Sequence, residues 1–299
     1  MADGGDALAI LFAIITALAF GTGDFLGGLV SRRSPPLAVA FFSQLAGGAG
    51  LLLAVVVLKE APRGPALLWG TAAGAVTSVA FVLYLRGLSR GQMGVVSTLA
   101  AVWTALVPFA AGLAQGERPG GLALLGAVVV LLGAVLVSGG QGAPPRRAGG
   151  AFARQRRNGW QHLLRPGVLE GTLAGVGYGA GFVMLQQAGP GGAVWPALAS
   201  TGATAALTGV IAWFSRAALI PRPRHWPLAA GMGLLHALAT VSLVLAVQSG
   251  MLSIVSVVAS MGPIPTTLLA WLLLRETLKP SQVWGVGLGL LGVALLTVA

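Results

Sequence analysis

Apolar runs of about 20 residues recur about ten times along the chain, and no other feature of the sequence constrains the fold as strongly. An α-helix of about that length crosses the hydrocarbon core of a bilayer. The predicted spans are 7–30, 36–58, 66–88, 93–115, 120–139, 167–188, 193–215, 227–248, 251–274 and 281–298. We therefore predict an all-α integral membrane protein with about ten transmembrane helices.

The composition argues against the main alternatives. Of the 299 residues, 56% are hydrophobic and 8% are charged, so a core surrounded by water cannot hold the apolar side chains. A membrane β-barrel would show shorter segments in which apolar and polar residues alternate. The chain has no cysteine, and it has no phosphate loop, HExxH or G-x-S-x-G motif. We expect no cofactor and no metal.

The basic residues predict the orientation. Most of the 18 Lys and Arg lie in the odd-numbered connections, while the even-numbered ones hold only Lys59, Arg63 and Arg118. Because Lys and Arg are retained on the cytoplasmic side, we expect the odd connections inside and both termini outside a cell inner membrane. This topology explains the net charge of +11, so the basic run at 146–157 indicates an anchor that attracts lipid headgroups rather than a nucleic-acid site.

The last part of the first half of the sequence resembles the last part of the second half. The segment that begins at Gly91 aligns without gaps with the segment that begins at Gly250, which pairs Glu117 with Glu276. Upstream, "AFGTGDF" around Phe20 resembles "GYGAGFV" around Tyr178 at nearly the same offset.

Each half therefore holds about five helices. Because five is odd, the halves enter the membrane from opposite sides, as in the inverted repeats of many secondary transporters. We predict a first five-helix repeat at 1–139, a basic cytoplasmic linker at 140–166 and a second five-helix repeat at 167–299.

Two segments carry a family resemblance: "LLLRETLKPSQVWGVGLGLLGVALLTV" and its first-half counterpart "GLAQGERPGGLALLGAVVVLLGAVLVSG". They resemble the repeat ends of the EamA branch of the drug/metabolite transporter (DMT) superfamily, where an acidic "GER"-like element precedes a Gly-rich final helix. The resemblance spans essentially the whole chain. It implies a basket of helices around a central cavity and an exporter of amino acids, purines, drugs or other small metabolites.

One carboxylate, Asp24, lies inside the first apolar run. It precedes the cytoplasmic Arg32 by about two turns, or roughly 12 Å, which is too far for so short a side chain to reach the interface. Intramembrane carboxylates usually face the bundle interior with a partner. Arg86 on the third helix is the predicted partner. The pair has two interpretations: a static ion pair, or a gate or proton-coupling element.

Further polar and aromatic residues lie on several helices at compatible depths, as a midplane pocket requires. These predicted substrate-binding or gating residues are Gln44, Thr77, Trp103, Tyr178, His236 and Ser256. Each residue alone is more often a helix–helix contact than a binding group. His236 is either a group that titrates near neutral pH or a neutral histidine that bonds a neighbouring helix.

The favoured function is a secondary active transporter, an exporter by family resemblance, that moves a small organic metabolite by alternating access. The alternative is a non-transporting polytopic membrane scaffold or sensor, which does not need a polar midplane cavity. A membrane enzyme ranks third. The expected partners are a small-molecule substrate, membrane lipid and a proton or other ion gradient, with no nucleic acid. The substrate, the coupling ion and the oligomeric state stay open.

Overall fold

A computed structural model describes residues 4–31, 33–90, 93–139, 167–275 and 277–298. Within these ranges the chain forms α-helices and one short 3-10 turn, Pro223–His225, and no strand. The helices are α1 Gly4–Ser31, α2 Pro36–Leu58, α3 Gly64–Arg90, α4 Met93–Ala114, α5 Gly121–Gly139, α6 Val168–Gln186, α7 Val194–Phe214, α8 Trp226–Ser249, α9 Leu252–Ala259, α10 Pro263–Leu274 and α11 Pro280–Val298. The predicted all-α fold class is confirmed.

The helices have the length and surface that a bilayer requires. Nine stretches of the described chain are long and apolar enough to cross a membrane, with α9 and α10 counted as one, and α4 adds the shorter apolar stretch Thr98–Ala114. Large apolar side chains such as Val56, Trp213, Phe214 and Trp284 are 72–82% exposed. In water this exposure would be unfavourable, whereas in a bilayer it places these side chains in lipid. The chain is a multi-pass membrane protein.

The predicted ninth span is divided in the middle. α9 ends at Ala259, and α10 begins at Pro263. Pro263 and Pro265 have no N–H, so the helical hydrogen bonds to residues four positions earlier cannot form there. The division lies against α1, because a Cβ placed on Gly21 would collide with the carbonyl oxygen of Gly262, and Thr266 Oγ1 donates to the carbonyl of Gly21 at 2.7 Å.

The two repeats are interlaced. α1 packs along α8, and the equivalent helices α6 and α3 pack along each other. In the same way α2 contacts α8, while α7 contacts α3. The equivalent pairs α2 and α7, α4 and α9, and α5 and α11 contact each other directly. This pattern is that of two repeats related by a two-fold axis, and the odd number of spans in each repeat inverts one relative to the other.

Glycines allow α5 and α11 to approach closely. A Cβ placed on Gly133 would lie 2.7 Å from the carbonyl oxygen of Gly285, and one on Gly126 would lie 3.1 Å from that of Gly292. The repeat alignment pairs Gly126 with Gly285 and Gly133 with Gly292, so the same contact occurs twice. Gly287 lies on the other side of α11, where a Cβ would meet nothing within 4 Å.

Glu117 joins the first repeat to the second. Its Oε1 accepts a hydrogen bond from the N–H of Leu252 at 2.6 Å, and its Oε2 accepts one from Ser253 at 2.9 Å. These N–H groups have no partner within α9, because they belong to its first turn. Glu276, the counterpart of Glu117, lies outside the described residues.

Candidate functional site

Asp24 on α1 and His236 on α8 contact each other. Nε2 of His236 lies 3.2 Å from Oδ1 of Asp24. The neighbouring glycine makes the approach possible, because a Cβ placed on Gly23 would lie 2.5 Å from Cδ2 of His236. Both polar residues are predicted site residues, but the sequence did not predict their contact.

Three aromatic rings lie near this pair. Phe20, one turn before Asp24, packs edge-to-face on the ring of His236, with 5.4 Å between ring centroids. Tyr84 of α3 and Tyr178 of α6 pack edge-to-face on each other, with 6.3 Å between centroids. The carboxylate of Asp24 lies close enough to both phenols for its charge to act on them. We call Phe20, Asp24, Tyr84, Tyr178 and His236 the central site.

The central site faces the inside of the bundle. Asp24 contacts α8 and acts electrostatically on α3 and α6, so its side of α1 points toward the other helices. Leu11 and Leu18, each 52% exposed, lie on the opposite side of α1, where lipid contacts them. The side chain of Asp24 is nevertheless 62% exposed and that of His236 is 19% exposed. The contact with His236 therefore leaves most of the carboxylate of Asp24 uncovered.

The two repeats give two equivalent helix contacts, α1 with α8 and α6 with α3, and only the first of them carries this polar pair. The alignment matches Gly23 with Gly181, Asp24 with Phe182, and His236 with Thr77. The backbone contact is kept, because a Cβ on Gly181 would lie 2.6 Å from Cγ2 of Thr77. The chemistry is not kept, since a phenyl ring and a hydroxyl replace the carboxylate and the imidazole.

Two other predicted residues use their hydroxyls within or between helices. Thr77 Oγ1 donates to the carbonyl of Ala73, one turn earlier, at 2.8 Å. Ser256 is fully buried, and its hydroxyl bonds the carbonyls of Ser253 at 3.1 Å and of Ala105 on α4 at 3.4 Å. The hydroxyl of Thr77 thus bonds within its own helix, and that of Ser256 also reaches α4. The predicted binding roles of both residues stay predictions.

The remaining predicted residues lie on three further helix faces. Gln44 is half-buried on α2, and Trp103 is 36% exposed on α4, with its backbone against Gly179. Arg86 is exposed on α3 and takes part in an interaction. His236 is a partner of Asp24, and the predicted pairing of Asp24 with Arg86 stays a prediction.

A cluster of hydrogen bonds joins two connections at one end of the bundle, which we call the outer end because it carries the even-numbered connections. Glu60, just after α2, accepts hydrogen bonds at 3.2 Å from the N–H groups of Val194 and Trp195 in the first turn of α7. The indole N–H of Trp195 donates to the carbonyl of Glu60 at 2.8 Å, and Arg63 donates to the carbonyl of Pro190 at 2.9 Å. We call these contacts the outer latch.

The equivalent connections at the other, inner end share one hydrogen bond among the described residues. Ser34 Oγ and His225 Nδ1 lie 3.0 Å apart. Among the described residues, several hydrogen bonds thus join the connection after α2 to the start of α7, whereas one joins the connection after α7 to the start of α2. The two ends of the bundle therefore differ in the number of these hydrogen bonds.

An apolar groove of about 400 Å³ lies between α3, α6 and α7. Its lining includes Val76, Val79, Leu83, Leu173 and Leu207, and it contains none of the predicted site residues. Val79 and Leu173 are 55% and 44% exposed, which places the groove on the lipid-facing surface. The described part of the chain holds no group of three His, Cys, Asp or Glu that fits a metal ion.

The inverted repeats, the divided span and an ionisable pair inside the bundle define the class of the protein: a polytopic membrane protein built like a secondary transporter. A model of the EamA-like transporter family matches residues 7–139 and 165–298. The chain belongs to this family, which is part of the DMT superfamily.

Comparisons with individual proteins add support for the fold. A solved structure described as "Crystal structure of protein" is 20% identical in sequence and covers 96% of this chain and 94% of its own length, with a TM-score of 0.74. A search of curated proteins gives no match.

Proposed function

We propose that the protein is a secondary active transporter that moves a small organic metabolite by alternating access through the central site. Membership of a transporter family supports this function. The observation that carries it is the contact of Asp24 with His236, because the carboxylate is 62% exposed and yet faces the inside of a bundle that spans lipid. Ionisable groups in such positions usually mark a substrate or ion pathway.

The alternative, a scaffold or sensor, gives no reason for this exposure. A protein without transport function can fill the centre of its bundle with apolar side chains, as this chain does around Leu252, Val255 and Val258. An exposed carboxylate within a membrane-spanning segment is unfavourable unless something uses it. The family resemblance supports export rather than import, and the distribution of Lys and Arg supports an orientation with both termini outside the inner membrane.

The test is uptake into proteoliposomes. Radiolabelled amino acids, nucleobases, amines and drugs are screened with and without a pH gradient. We expect saturable uptake of at least one compound, and a loss of at least tenfold in Asp24→Asn. Leu18→Ala, on the lipid-facing side of the same helix, serves as the matched control and should transport normally. Absence of saturable uptake across the whole panel would favour the scaffold.

A further inference from the structure

The central site has the chemistry of a receptor for a positively charged ligand. Resting on the transport function proposed above, we propose that the site binds a monovalent organic ammonium compound. Its cationic group takes the place of His236 at the carboxylate of Asp24, and its apolar body packs against Phe20, Tyr84 and Tyr178.

The first argument is charge compensation. A carboxylate inside a membrane-spanning bundle is costly unless a cation or several hydrogen bonds accompany it. The partner that the structure gives Asp24 is Nε2 of His236, which is a cation only when protonated. Asp24 keeps 62% of its side-chain surface exposed, so the protein leaves most of the carboxylate accessible to a ligand.

The second argument is the set of rings around the carboxylate. Phe20 contacts His236 directly, and Tyr84 and Tyr178 lie within the electrostatic field of Asp24. The faces of aromatic rings attract cations, and groups of such rings recognise organic ammonium ions. The phenyl and phenol rings also give an apolar surface to the organic part of the same ligand.

The third argument is the asymmetry of the repeats. Phe182 occupies the position of Asp24 in the second repeat, and Thr77 occupies that of His236. The two pairs of equivalent positions, 24 with 182 and 236 with 77, therefore hold a single carboxylate. One carboxylate matches a ligand with one positive charge. An anion would meet the negative charge of Asp24, and a neutral ligand would not compensate that charge.

The experiment compares aromatic ligands of similar size but different charge. Radiolabelled benzyltrimethylammonium, phenylalanine, phenylpropionate and adenosine are tested for binding to the full chain in detergent and for uptake into proteoliposomes. Benzyltrimethylammonium is permanently charged and does not diffuse through the bilayer as a neutral form. We expect saturable binding and uptake of this compound alone. Saturable transport of any of the others without binding of benzyltrimethylammonium would overturn the inference but leave the transport function intact.

The converse result is equally informative. Binding of benzyltrimethylammonium that depends on Asp24, without transport of this compound or of the wider panel, would refute the transport function and keep the cation site. Absence of both binding and transport would refute both proposals.

Variants separate the carboxylate from the rings. We expect Asp24→Asn to weaken benzyltrimethylammonium binding at least tenfold and Asp24→Glu to retain most of it. For the ring contribution, Tyr84→Phe and Tyr178→Phe should bind within about twofold of the native chain, and the matching leucine variants should lose several-fold. Equal binding by the phenylalanine and leucine variants would contradict the role of the rings. Retention of a single symmetric peak in gel filtration shows that each variant is folded, and Leu18→Ala is the binding control.

Discussion

Gly23 determines the position of the two ionisable groups in the central site. Its missing side chain brings the ring of His236 against α1, and the next residue, Asp24, then lies within 3.2 Å of Nε2. Neither group would be stable here alone as a charge, because the surrounding helices offer mainly apolar atoms. The contact thus links the protonation of His236 to the compensation of the negative charge of Asp24.

This link predicts how transport of an ammonium compound depends on pH. A protonated His236 competes with the substrate for Asp24, so a fall in pH should raise the apparent KM. We expect the KM to rise several-fold in the native chain and to stay constant in His236→Gln, measured as uptake into proteoliposomes at fixed internal pH. The other titratable or charged groups near His236 are the phenols of Tyr84 and Tyr178 and the guanidinium of Arg86. A pH-dependent KM in His236→Gln would contradict this assignment.

The sequence showed some of the central site but not its assembly. Asp24, Tyr178 and His236 could be selected because polar groups are conspicuous in apolar runs, and their depth follows from their distance along a helix. Their contacts depend on which helices are neighbours and how each is rotated, and neither quantity is local in sequence. Phe20 and Tyr84 were missed, since an aromatic ring in an apolar run also suits a lipid-facing position. The repeat held a signal for Phe20, because it is the counterpart of Tyr178.

At the scale of elements, small residues determine which helices pack closely. In lipid the association of helices depends on close packing and on polar contacts, since apolar side chains are equally well solvated by the bilayer. α5 and α11 meet through Gly126, Gly133, Gly285 and Gly292. Their exposed sides carry large apolar residues, which is the arrangement of a peripheral helix pair.

Gly133→Val tests this interface. A Cβ there would meet the backbone of Gly285 and Gly289, which cannot move away as a flexible side chain can. Overpacking of this kind costs about 1–3 kcal/mol, so we expect a lower unfolding temperature in detergent. Gly287→Val introduces the same side chain into α11 on the open side and should leave the unfolding temperature nearly unchanged. Equal destabilisation by both variants would indicate a helix-propensity effect instead of a packing effect.

The outer latch is an interaction between elements that can be broken alone. Its carboxylate satisfies two N–H groups at the positive end of α7, a favourable position for an anion. We expect Glu60→Ala to expose the start of α7. Because the chain has no native cysteine, a single Ala193→Cys, at a position only 4% exposed, reports this directly through labelling by a membrane-impermeant maleimide. The labelling rate should rise several-fold.

The control for the latch is Lys59→Gln in the same single-cysteine background. It removes a neighbouring exposed charge but leaves the carboxylate in place. Unchanged labelling in Glu60→Ala would mean that other contacts, such as that of Arg63 with Pro190, suffice to keep this end closed.

At the scale of the whole molecule, the distribution of charge determines orientation. The basic residues favour both termini outside and the 140–166 linker inside. Single cysteines placed near each terminus and in the linker should be labelled in intact cells at the termini only, and the linker should react after permeabilisation. A terminus that reacts only after permeabilisation would overturn the orientation.

The overall architecture could be predicted from the sequence to a large extent. Span lengths and repeats are properties of the chain itself, and the predicted spans agree with the helices to within a few residues. The prolines at 263 and 265 lie where the ninth span divides, but their sequence does not show that α1 would pack against the division. The interlacing of the repeats is also absent from the sequence, because every helix has several apolar faces that can accept a neighbour.

The interlaced packing has a consequence for the motion that transport requires. α1 and α2 adhere to α8 from the other repeat, and α6 and α7 adhere to α3. The natural rigid bodies are therefore two mixed bundles, one of α1, α2 and α8 and the other of α3, α6 and α7. The chain passes between them in the connections that begin at Lys59 and Arg216. Both residues have a left-handed backbone conformation, with φ of 51° and 50°. One body carries Asp24 and His236 and the other carries both tyrosines. A rocking movement between the bodies would change the distance from the carboxylate to the phenol rings, so a bound molecule would itself bridge the two moving parts.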